Sequence, residues 1–159
     1  IRVLWWIADG GGVSVNGRRL EDYSSPSSYF AIKRVWKGGD RVEVSLPMEL
    51  RLERLPDDPM TFAVLYGPLV LAGRLGGAEG LTANKIYGKY GPEGEPATVP
   101  KFEPRAGVPL AQWIEPAAGQ PLTFRTQGVG KPGDVTLVPF YKLFGERYAL
   151  YWEFIRPEK

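Results

Sequence analysis

Apolar and polar residues alternate along short spans of this chain, and a period of two predicts strands rather than helices. The pattern is cleanest where Val42, Val44 and Leu46 face inward and Arg41, Glu43 and Ser45 face outward. Pro47 interrupts it. Met48, Leu50 and Leu52 then resume the pattern, with Glu49, Arg51 and Glu53 outside. One apolar and one polar face is what a half-buried antiparallel sheet needs. Thr61 to Ala72 is almost wholly apolar and reads as a strand pair, or as one strand bent at Gly67-Pro68. Ile1 to Ile7 reads as a buried strand. Tyr29 to Trp36 reads as another, of ambiguous register: Phe30, Ile32 and Trp36 share one face, and Tyr29, Ala31 and Val35 the other. Further strands are expected at Leu122 to Phe124, Asp134 to Tyr141 and Arg147 to Ile155, the last two joined near Phe144-Gly145-Glu146. On this reading Trp5, Trp6, Trp36 and Trp152 are core residues. No segment has a trustworthy helical period, and no internal repeat is present.

The turns support the strands. Asp9-Gly10-Gly11-Gly12 breaks the first apolar run. Asn16-Gly17, after Val13-Ser14-Val15, readily takes the positive φ angles of a type I′ hairpin. Lys37-Gly38-Gly39-Asp40 and Pro56-Asp57-Asp58-Pro59 are further turns. The expected fold is all-β: an antiparallel β-sandwich of jelly-roll type with about eight to ten short strands. Its expected domains are a β-sandwich at 1–75, a Gly/Pro-rich connection at 76–110 and a C-terminal β segment at 111–159. That last segment either completes the sandwich or forms a second small β unit. A long stretch without periodicity is unusual inside a compact domain.

Composition sharpens this picture. The chain has 159 residues, with Gly 20, Pro 15 and 13% aromatics, as expected of short strands joined by tight turns. At 43% hydrophobic residues and a net charge of +2, disorder is not expected. The chain contains no Cys and no His. Disulfides, thiol nucleophiles, a Ser-His-Asp triad and imidazole or thiolate metal ligands are therefore excluded. Lys and Arg total 20 against 18 Asp and Glu, and no basic stripe appears. Arg18-Arg19 reads as a solvated hairpin tip, so no nucleic-acid partner is expected. No apolar run reaches the roughly 18 residues of a membrane span, so no membrane partner is expected either. Ile1 lies within an apolar run, which suggests a piece of a longer protein.

Candidate chemistry is sparse. Gly130-Lys131 fails as a phosphate loop because Arg125 stands where Gly is needed and Pro132 where Ser or Thr is needed. There is no G-x-S-x-G elbow and no N-x-S/T sequon. Paired carboxylates alone could hydrolyse a glycoside. The adjacent pairs, Glu21-Asp22 and Asp57-Asp58, lie in turns, where Asp is favoured for backbone reasons. Oxygen ligands at Asp57-Asp58 without EF-hand spacing are weak grounds for calcium. No catalytic residue, metal or cofactor is assigned. The remaining signal is aromatic: Trp113, Tyr87 and Tyr90, in or beside the Gly/Pro-rich stretch, are the candidate carbohydrate or interface contacts, because a sugar ring can stack its C–H face on an aromatic ring.

The run from Tyr29 to Met48, with its R-x-W, G-D turn, alternating strand and L-P-M, resembles the non-catalytic β-sandwich region of glycoside hydrolase family 127, typified by β-L-arabinofuranosidases. Val13 to Gly17, Leu65 to Gly73, Leu122 to Thr126, Leu137 to Tyr141 and Arg147 to Trp152 are similar to segments of the same proteins, in the same order. The resemblance covers most of the chain except about 76 to 105. It implies that an (α/α)₆ barrel carrying the cysteine nucleophile, the zinc ligands and the glutamate of that family precedes these strands in a bacterial enzyme. None of those residues maps onto this chain. The expected function is a non-catalytic accessory region that supports the catalytic barrel. A homo-oligomer interface is a further expectation, and independent carbohydrate binding through exposed aromatics is the alternative.

Overall fold

Asn16 and Gly17 have φ of 53° and 78°, so the chain reverses there in the I′ manner that the Asn-Gly pair predicts. Residues 1–21, 23, 26–76, 97–103 and 107–155 are described by the computed structural model. The turn joins β1 (Gly12–Val15) to β2 (Arg18–Arg19), and β3 (Val42–Ser45) pairs antiparallel with the other edge of β1. Val13 lies opposite Val44 and Val15 opposite Val42. This sheet belongs to a first compact unit, Ile1–Glu49.

Several expectations for this unit fail. Val13 and Val15 are buried, but Val42, Val44 and Leu46 are each about two-fifths exposed. In the order β2-β1-β3, β1 is flanked on both sides and β3 is an edge. Ile1 to Ile7 is no strand: Arg2 forms an isolated bridge with Tyr29, and the chain then turns at Trp5-Trp6. Beyond Tyr29, the segment to Trp36 has no strand pairing. Trp5 is 57% exposed and Trp36 49%, which removes both from the core. Instead, the Arg34 guanidinium lies 5.1 Å from the Trp36 ring centroid. A segment with apolar residues on both faces has no preferred face to bury, so alternation gave no register to fix it.

The second unit, Leu50–Lys159, is built on β4 (Leu50–Arg54), β5 (Thr61–Tyr66) and β6 (Leu69–Arg74). Gly67 (φ 55°) turns β5 into β6, so the apolar run is a strand pair. The unit continues with β7 (Lys101–Phe102), β8 (Ile114–Pro116), β9 (Phe124–Thr126), β10 (Gly130–Lys131), β11 (Thr136–Pro139), β12 (Tyr148–Ala149) and β13 (Tyr151–Glu153). Among the described residues the only helical turns are 3₁₀, at Leu110–Gln112 and Phe140–Lys142. The sheet runs β13-β5-β6-β11-β9-β8, with β4 on the far edge of β5 and β12 against β6. Every ladder is antiparallel.

The β5–β6 hairpin forks. The two strands pair from Val64–Leu71 to Tyr66–Leu69, then part. β13 fills one arm of the fork, with Trp152 opposite Phe62, and β12 the other, with Ala149 opposite Gly73. The short β7–β10 ribbon covers the inner face. Phe102 on it is fully buried, with its ring 5.4 Å from Phe62 and 5.2 Å from Trp152. Phe62, Val64, Leu71, Phe102, Ile114, Leu137 and Trp152 form the centre of one core. The fold is all-β and antiparallel with sandwich-like layering. The compact units divide between Glu49 and Leu50. Residues 50–75 stay with the C-terminal strands because β5 and β6 pair with β11, β12 and β13.

Candidate interaction surface

Alternation gives β5 two apolar faces. Phe62 and Val64 point into the core, so Ala63 and Leu65 point out. Across the ladder, Val70 stands opposite Leu65 and Tyr151 opposite Ala63. The outer face is thus apolar where a solvated sheet would be polar. Part of it is covered: the loop after β11 places Leu143 on Ala72 and Val138, with Leu150 beside them. The rest is an open groove of about 350 Å³. Leu55, Ala63, Leu65, Val70, Phe140 and Tyr151 line it, and Glu53 and Arg54 stand at its β4 side. Glu53 is paired with Arg51 at 3.6 Å, and Arg51 also donates to the Gly67 carbonyl.

Exposed aromatic residues are frequent in this unit. Phe140, Tyr141, Phe144, Tyr148 and Tyr151 are all exposed, Phe144 at 95%. The Phe140 and Tyr148 rings lie 5.1 Å apart. Sequence reasoning missed this surface because Phe140, Tyr148 and Tyr151 were read only as strand residues. The detectable signal was the second apolar face of β5, whose Ala63 and Leu65 break the polar-out rule.

Trp113 is half-buried and packs against the core. Its Nε1 donates to the Val108 carbonyl at 2.8 Å, and its ring meets Phe154 edge-on. Tyr87 and Tyr90 lie outside the described residues.

The carboxylates serve turns. Asp58 accepts from the Met60 N–H at 3.1 Å and the Thr61 hydroxyl at 2.6 Å. Glu21 is exposed, and Asp22 lies outside the described residues. Asp40 accepts from Asn16 Nδ2 (2.8 Å) and the Lys37 N–H (2.9 Å), and these, with Arg34, hold it below the usual carboxylate range. Burial pushes Asp134 upward, but donation from the Gly128 N–H, the Thr126 hydroxyl and the Gly130 N–H leaves it lowered. A general acid needs the opposite shift. Among the described residues, no group of three or more Asp, Glu, His or Cys could hold a metal ion. No helix among them is long and apolar enough to cross a membrane.

Comparison with known proteins gives two family matches. Residues 51–154 match DUF4986, a domain of unknown function, and residues 1–48 match the middle domain of the β-L-arabinofuranosidase family GH127. The seam between them falls where the two compact units divide. A solved structure titled "Glycoside hydrolase" aligns with 98% of this chain at 19% identity and a TM-score of 0.57. The chain spans 27% of that structure's length. No curated protein matches the chain.

Proposed function

The chain belongs, from residue 51 to residue 154, to the DUF4986 family, and from that premise we propose that it is a non-catalytic accessory region of a glycoside hydrolase. It acts by docking its outer sheet face on the catalytic domain of the same protein. The supporting observation is the groove lined by Leu65, Val70, Phe140 and Tyr151. Exposed apolar surface of this kind is costly in water, at about 25 cal/mol per Å². The GH127 match of residues 1–48 and the small share of a glycoside hydrolase that this chain spans favour a covalently linked occupant. Such an occupant is held at high effective concentration, so a modest groove suffices to dock it.

The test is made in the full-length protein. Val70→Asp places a charge in the groove without touching the core. On this reading it loosens the catalytic domain, seen as earlier proteolytic release and lower activity after mild heating. Unchanged release and unchanged thermal inactivation would overturn it. A dimer lost in Val70→Asp would assign the groove to a second copy. Oligosaccharide binding lost in Tyr151→Ala would assign it to carbohydrate.

A further inference from the structure

The Asn16-Gly17 hairpin carries a reactive pair that the fold holds in check. Gly17 has no neighbour within 4 Å of its Cβ position, and both residues are exposed, so water and base reach the turn. The Asn16 side chain is nonetheless held at both ends. Its Nδ2 donates to Asp40 Oδ1 at 2.8 Å, and its Oδ1 accepts from the Arg41 N–H at 2.8 Å. Its own N–H donates to the Arg41 carbonyl at 2.9 Å. One amide thus ties the β1–β2 turn to the start of β3.

We propose that Asn16 is a deamidation site that Asp40 and the Arg41 N–H keep closed, and whose modification releases β3 irreversibly. The reaction starts when the Gly17 nitrogen, its proton taken by base, attacks Asn16 Cγ. The Cγ–Nδ2 bond breaks and ammonia leaves with the proton, giving a succinimide. Water then adds to either ring carbonyl, opening it to aspartate or isoaspartate. Glycine at 17 offers no side chain to block the attack. The attack does require the amide to swing away from Asp40 and Arg41 and over its own following peptide.

The product cannot resume the contact to Asp40. An aspartate at 16 puts a carboxylate oxygen where Nδ2 stood, at hydrogen-bond distance from Asp40. Two carboxylates so close disfavour joint ionisation. Arg34, 3.2 Å from Asp40, is already its partner. Isoaspartate adds a methylene to the main chain and destroys the two-residue turn.

The experiment follows Asn16 by peptide mapping in the full-length protein at mildly alkaline pH, folded and in denaturant. Deamidation confined to the locally opened state is about tenfold or more slower in the folded protein. Asp40→Ala accelerates it in the folded protein. Hydrogen exchange of Val42 to Ser45 reads the consequence: Asn16→Asp lowers protection, and adding Asp40→Asn restores part of it. Equal rates folded and unfolded would overturn the closed-site claim. Unchanged β3 protection in Asn16→Asp would overturn the release claim, as would failure of Asp40→Asn to restore it.

Discussion

The indole of Trp152 occupies the space where a side chain on Gly73 would begin. A Cβ at Gly73 would collide with the Trp152 ring, and its next neighbour, Val135 Cγ2, stands at 2.9 Å. This contact lies in the fork of the β5–β6 hairpin. The absent side chain on β6 is what lets the largest residue of β13 reach the core.

Gly73→Ala is therefore expected to destabilise by about 1–3 kcal/mol, the usual range for overpacking, because neither a fully buried indole nor a core valine can yield. Trp152→Ala is expected to cost about 3–5 kcal/mol. Denaturant titration of both variants checks this; a Gly73→Ala variant as stable as the parent would mean that the fork is loose.

Trp36→Ala is expected to cost under about 1 kcal/mol, as exposed substitutions do. A buried tryptophan would cost several times more. The same denaturant titration distinguishes them, and a large loss would restore Trp36 to a core.

Asp134 makes the stability depend on acid. Its folded pKa lies below the ordinary carboxylate value, so the unfolded chain binds its proton first as pH falls. Its contribution is complete above the ordinary carboxylate range and is lost as pH falls through that range to the lowered folded value. Asp134→Asn should flatten that acid limb and cost about 1 kcal/mol at neutral pH, where backbone donors lose a charged acceptor in a water-exposed turn. Stability measured from neutral to strongly acidic pH gives the answer, and parallel curves would count against it.

Gly17→Ala is expected to cost about 1 kcal/mol through its positive φ alone, since nothing crowds the site. A loss of several kcal/mol would point to contacts the turn does not show.

Much of the fold was legible where local chemistry and pattern agreed. Asn16-Gly17 specified its turn, Gly67-Pro68 marked the break in the long apolar run, and Leu50 and Leu52 showed their inward face. Val42 and Val44 were read correctly as sharing a face, but alternation does not say whether a strand is central or an edge. Trp5 and Trp36 were misplaced because hydrophobicity alone was read as burial, in segments with no partner strand. The pairing of β5 with β13 was hidden because it spans some 90 residues, beyond any local signal. The groove became visible only once β5 and β13 were paired, which placed Tyr151 beside Ala63.

On the docking reading, the catalytic domain covers the outer face of the second unit. Hydrogen exchange at β5 and β6, compared between the full-length protein and this chain alone, tests it most directly. Slower exchange in the full-length protein, reversed by Val70→Asp, is the predicted result. Identical exchange in both, with the groove equally open, would contradict the account.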